Sequence, residues 1–343
     1  MKPNKSRDIF WPGILWLSLF AFFLSGCQSA PVMRAVTLPG FQPAPFDEQT
    51  ISYVFEPETK VYIDAPQHFP ANRKVKLIFY ALPNGNTTEQ TIGKLTGTND
   101  DGHFDIQHIG AQTRFLRRVY SNEAIVVVYL ESNQRSWPAW RKKHALQPNL
   151  VLQLVDEVKK RFSNFNVRVT LSAHSGGGSE IFGFINAEQH IPDDVERIAF
   201  LDANYAYNES LHHKEKLIEW LRDSNRHYLS VLAYNDAVAL LNGTNFVSAT
   251  GGTWGRTHAM LKDLGSELKF TSQTNAATGI ETYAALNGRV EFLLKENPDQ
   301  KIFHTVQVER NGFIQSLLSG TPHEGQDYIY FGDRAYTNWI ATN

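Results

Sequence analysis

The stretch RVTLSAHSGGGSEIFGFI, residues 168–185, decides how the rest of the chain is read. A strand-like run and a helix-like run meet at Ser175, and Gly176, Gly177 and Gly178 follow it at once. A plain turn needs one glycine. Three, with the small Ala173 two residues before the serine, mark a backbone turn too tight for larger neighbours on either side.

Outward from this turn the chain alternates strands and helices. Upstream, KVKLIFYAL (74–82) reads as a buried strand, and AIVVVYLES (124–132) as a central parallel strand covered on both faces. Between them, Ile106, Ile109, Phe115, Leu116 and Val119 have helical spacing. A helix is predicted over 149–162, a strand over 167–171 and a helix from the glycine turn to about Asn186. Downstream come a strand at 197–202, a helix in HHKEKLIEWLRD and a strand at 227–234. Two short antiparallel strands, near 52–55 and 61–63, precede all of these. The pattern predicts an α/β fold: a mostly parallel sheet with helices on both faces and antiparallel first strands. Residues 268–308 read as a β-rich excursion near the C-terminus. There KIFHTVQV (301–308) is expected to rejoin or extend the sheet as its last strand.

AHSGG (173–177), between a predicted strand and helix, resembles the nucleophile elbow of α/β hydrolases, with alanine in place of the first glycine. The resemblance is to the superfamily, covers about Thr50 to the C-terminus, and implies a serine esterase. It casts Ser175 as nucleophile, with the backbone N–H of Gly176 facing the oxyanion at a helix N-terminus. The second oxyanion donor is expected from ALPNGNTT (81–88), at Asn84 or Gly85. The acid maps to Asp236 after LSVLAYN, with Asp202 after IAFL as the alternative. The base is expected at His323, which alone follows the presumed last strand and keeps the order Ser…Asp…His. His304 is assigned to that strand and His258 to a helix, while His174 reads as packed or site-lining.

Trp137, Trp140, Tyr205, Tyr207 and Trp254 fall on predicted loops at the same sheet end, where they could stack on a sugar, line an acyl pocket or simply pack. Arg135 could meet a carboxylate or stay solvated. The acidic run NDDGHFD (99–105) lacks metal-ligand spacing, so no metal and no cofactor is implied.

At the N-terminus, Lys2, Lys5 and Arg7 precede the apolar run WPGILWLSLFAFFLSG, the layout of a secretory signal. It ends LSGC, which resembles the lipobox of bacterial lipoproteins, and Cys27 is the only cysteine in the chain. The resemblance implies cleavage after residue 26, lipidation (palmitate included) of Cys27, and a lipid anchor in the cell envelope. Gln28 points to the outer membrane. Residues 27–49, with four prolines, read as an extended tether, and residues 50–343 as the hydrolase domain. Without residues 1–26 the chain has 30 basic and 34 acidic side chains, a formal charge of −4. No basic excess exists to hold nucleic acid or anionic lipid.

The expected activity is hydrolysis of a small-molecule or glycan ester by a Ser-His-Asp acyl-enzyme route. A peptidase or acyltransferase on the same triad, or a non-catalytic envelope lipoprotein using the fold for binding, are the alternatives. Oligomeric state is left open.

Overall fold

The apolar run that begins at Ala124 can be buried on both faces only inside a covered sheet. In the computed structural model, which describes residues 32–248 and 250–342, it is a strand of an eleven-stranded sheet. The strands are β1 (Gln42–Ala44), β2 (Glu48–Phe55), β3 (Thr59–Pro66), β4 (Lys74–Ala81), β5 (Ala124–Ser132), β6 (Asn166–His174), β7 (Val195–Leu201), β8 (Tyr228–Tyr234), β9 (Thr271–Asn275), β10 (Ile280–Ala285) and β11 (Val290–Lys295). Their spatial order is β9-β10-β11-β8-β7-β6-β4-β5-β3-β2-β1. The six strands from β11 to β5 pair in parallel. The outer strands on both sides pair antiparallel. This is the mostly parallel α/β sheet with antiparallel first strands that the sequence predicts.

The helices are α1 (Thr88–Ile92), α2 (Ile109–Val119), α3 (Trp137–Lys143), α4 (Leu150–Arg161), α5 (Gly178–Ala187), α6 (His213–Asp223), α7 (Thr253–Gly265) and α8 (Phe313–Leu318). Alternate strand residues enter opposite cores, as the two-residue period of a strand requires. Leu77, Phe79, Val126, Val128, Ile198 and Phe200 pack under α4, α5, α6 and α7. Ile78, Tyr80, Ile125, Val127 and Leu201 pack under α2, α8 and the C-terminal segment with Tyr328 and Tyr336. Among the described residues no helix is long and apolar enough to cross a membrane.

Two expectations are corrected. The tether does not extend to residue 49. Met33–Ala35 pairs with His68–Pro70, β1 adds to the sheet edge, and Leu38 and Phe41 are buried. The Gln49 side chain fixes this arm: it accepts from Leu38 N–H at 2.8 Å and donates to the Val36 and Pro66 carbonyls at 2.7 and 2.9 Å. The prolines suggested an unpaired tether, but one of them, Pro43, is itself accommodated in the edge strand β1. The signal segment and Cys27 lie outside the described residues.

The second correction concerns KIFHTVQV, which forms no strand: residues 301–308 are a loop running into the helical turn before α8. The place beside β8 is already taken by β11, and β10 covers the far edge of β11, so neither of these strands has an edge left to pair with. Its alternating apolar side chains go elsewhere. Phe303 packs edge-on against Tyr234 and Phe331, and Val308 enters the core under α8.

Candidate active site

Parallel register brings the chemistry to one sheet edge. Ala173 on β6 is opposite Ala81, the last residue of β4, so the loop after β4 borders the turn after β6. His174 is opposite Leu201, the last residue of β7, which places Asp202 beside Ser175 along the edge. Tyr234 on β8 is opposite Lys295, the last residue of β11, so the loop carrying residues 296–306 leaves the sheet at that same edge.

Ser175 has φ +55°, a left-handed conformation uncommon for a residue other than glycine, which turns its side chain out of the strand. It is half-buried, while residues 171–174 and 176–180 are buried. The three glycines are explained by contact rather than by backbone freedom, since Gly177 and Gly178 have ordinary helical φ of −58°. A Cβ at Gly176 would run into the Asn84 amide, one at Gly177 into the Ala81 carbonyl and one at Gly178 into the Ala203 carbonyl. The turn is therefore pressed between the loops after β4 and β7.

Asp202 is fully buried and also has positive φ, +48°. Its backbone N–H donates to the Leu232 carbonyl at 2.7 Å. One carboxylate oxygen accepts the Thr253 hydroxyl, and the other lies 2.5 Å from Nδ1 of His304. The His304 side chain is 26% exposed, and its Nε2 makes no hydrogen bond among the described residues. The ring lies against that of His174, with centroids 4.6 Å apart, so the Asp202–His304 pair adjoins the residue before Ser175. Burial first, then the neighbouring His304, hold His174 well below the usual imidazole range.

Asp236 does not face a histidine. It accepts the Thr253 and Trp254 N–H groups at 2.8 and 3.3 Å and so serves the first turn of α7. Burial first, then the charge of Asp202, raise its pKa against those N–H bonds. The acid with a histidine partner is thus the alternative, Asp202, and the sequence missed it as first choice because both strands end in an aspartate at the same edge.

His323 is likewise displaced. It follows α8 in a turn where Gly320 abuts Gly288 and Tyr228, the first residue of β8, and its ring lies 5.5 Å from Tyr120. Ser175 follows the last residue of β6, and the strands from β6 to β8 are parallel, so His323 occupies the opposite sheet edge. His304 was passed over because its segment read as a strand. The signal that could have found it is KENPDQ, a loop that follows the true last strand.

Of the two oxyanion candidates, Gly85 has its N–H engaged by the Arg135 carbonyl at 2.9 Å. Asn84 lies against Gly176, and the two line, with Ser175, Pro138, Ser179, Tyr205 and Ala206, a cavity of about 420 Å³. Tyr205 is 38% exposed there, whereas Trp137, Trp140 and Tyr207 are buried in the core. Trp254 packs on His258 of α7, and Arg135 is exposed. A larger groove of about 520 Å³ along α6 is lined by Lys214, Glu219, Arg222 and Glu267; it lies away from Ser175 and has no nucleophile beside a base.

No family model and no curated protein matches the chain. Among solved structures it is similar to a mutant feruloyl esterase module from Clostridium thermocellum complexed with sinapinate, at 10% identity and TM-score 0.41, over 77% of this chain and 89% of that one. It is similar to the siderophore hydrolase EstB from Aspergillus nidulans at 13% identity and TM-score 0.39, over 81% and 94%. It is similar, too, to a cold-adapted esterase from an Arctic intertidal metagenomic library at 10% identity and TM-score 0.39, over 76% and 90%.

Proposed function

We propose that the chain is a serine hydrolase that cleaves an ester through an acyl-enzyme, with Ser175 as nucleophile, His304 as base and Asp202 as acid. The observation that carries this reading is the Asp202–His304 pair, 2.5 Å apart, whose imidazole lies against the residue that precedes a serine of positive φ. Asp202 fixes Nδ1 of His304 as the protonated nitrogen and leaves Nε2 as acceptor. Ser175 Oγ attacks the acyl carbon as His304 Nε2 takes the hydroxyl proton. The oxyanion is held by the Gly176 N–H and the Asn84 amide. On collapse the C–O bond breaks and the alcohol leaves with the proton from His304. Water repeats the sequence in reverse and frees the acid. The substrate is a small-molecule or glycan ester whose one side fills the cavity at Asn84, Pro138 and Tyr205.

The test is turnover of aryl esters by the Ser175→Ala variant. Removal of a triad nucleophile costs on the order of a million-fold, so activity should fall to background with circular dichroism unchanged. A variant keeping half its rate would remove Ser175 from the mechanism.

We also propose that the protein is exported and anchored by lipid on Cys27 in the cell envelope, on the strength of LSGC after an apolar run. Mass spectrometry of the membrane-bound protein should find Cys27 as the modified first residue. A Cys27→Ser protein that is still processed and still partitions with membranes would contradict it.

A further inference from the structure

His304 belongs to neither a strand nor a helix, yet the proposed chemistry needs its ring held to within a fraction of an ångström. The loop that carries it is tied at its base by Asn297, whose side chain donates to the Asn235 and Lys301 carbonyls at 3.0 and 2.7 Å. Further along, Leu240 N–H donates to the Gln300 carbonyl at 3.0 Å. At His304 itself the backbone is held by one side chain. His174 Nε2 lies 3.1 Å from the His304 carbonyl oxygen. A carbonyl only accepts, so His174 carries its proton on Nε2 and donates it.

His174 is 1% exposed, and its Nδ1 is buried without a hydrogen-bond partner among the described residues. A leucine or phenylalanine would fill this place without that orphaned nitrogen, which is costly to bury. The imidazole therefore calls for a reason beyond packing, and two contacts supply it. Its N–H fixes the backbone of His304, and its ring, tilted by 36°, lies against the His304 ring. Since residues 174 and 175 are consecutive, the same few backbone atoms set the position of the nucleophile and of the residue that holds the base.

We propose that His174 is a positioning residue for the reaction: its Nε2–H and ring lock the His304 backbone and imidazole in register with Ser175 and Asp202. This rests on the catalytic reading above. His174 touches no reacting atom, and as a neutral ring it presents no charge to an imidazolium forming on His304.

The test compares His174→Phe, which keeps a ring and loses the donor, with His174→Gln, whose Nε2 amide reaches the same place. Kinetics on an aryl ester are read with the low-field proton NMR signal of the Nδ1 proton between His304 and Asp202, recorded without substrate. His174→Phe should lower kcat by about 10- to 100-fold, since small misplacements have such costs, with KM changed far less, and the low-field signal should broaden or vanish. His174→Gln should recover most of the rate and the signal. If His174→Phe folds poorly, His174→Met, as long as glutamine but without an N–H, takes its place. Equal kcat and an unchanged signal in the donor and donor-free variants would overturn the proposal and make His174 a core residue. Ser175→Ala in the same assay separates the two claims. An active Ser175→Ala overturns the catalytic reading, whereas an inactive one beside a fully active His174→Phe overturns only the role of His174.

Discussion

Ser175 and Asp202 are the first residues after adjacent parallel strands, and both have positive φ, +55° and +48°. Two such residues side by side store strain at one edge, as functional sites commonly do. Residues of the same type carry different weights at this site. Asp202→Asn should lower kcat on the order of 10⁴-fold, because the base loses its tautomer and counter-charge. His304→Ala should approach the loss expected for Ser175→Ala. Asp236→Asn keeps one of the two oxygens that accept from Thr253 and Trp254, enough for the shorter Thr253 N–H bond, and should keep activity within a few-fold, as should His323→Ala at the far edge. Steady-state kinetics of the four variants checks this, and an inactive His323→Ala beside an active His304→Ala would reverse the assignment. Ser175 was legible in the sequence because a tight turn leaves a local mark in its small neighbours. The proposed base was not, and the proposed acid, Asp202, was only the alternative, because strand register brings them to the serine's end of the sheet and no local pattern records register.

Among the elements, α5 carries a buried acid near the site. Glu180, 1% exposed, is raised by burial to about 8 from 4.5, against the pull of Arg141. The folded protein then keeps a proton that the unfolded chain releases above pH 4.5. The contribution of Glu180 is fully present below that pH and is lost as pH rises through about 8. Glu180→Gln cannot titrate, so its melting temperature should gain on that of wild type between pH 5 and pH 8.5. A difference constant across that range would contradict the burial argument. The helices and inner strands were legible for a related reason: a strand buried on both faces, such as β5, reads as a continuous apolar run. Where alternation alone was the evidence, as in KIFHTVQV, a loop whose apolar residues pack into cores on their own account gave the same pattern.

At the scale of the whole molecule, the arm before β2 is part of the fold. Glu48 binds Arg114 at 2.8 Å and Arg117 at 2.5 Å, and Arg117 also meets Asp64 at 3.1 Å, all partly or fully buried. A chain starting at Thr50 would lose Glu48 and the Gln49 ties. Breaking a buried pair costs about 3–5 kcal/mol, so its melting temperature should fall by roughly 10 °C, while a chain starting at Pro31 should melt like the longer protein. Equal melting of the two would show that the arm adds nothing. The central claim, that one serine is made nucleophilic by the Asp202–His304 pair, is tested most directly by treating the intact protein with a fluorophosphonate and locating the adduct by peptide mass spectrometry. The account predicts a single adduct on Ser175, formed rapidly by wild type, slowly by His304→Ala and not by Ser175→Ala. Ester turnover without an adduct on Ser175, or labelling unaffected by His304→Ala, would contradict it.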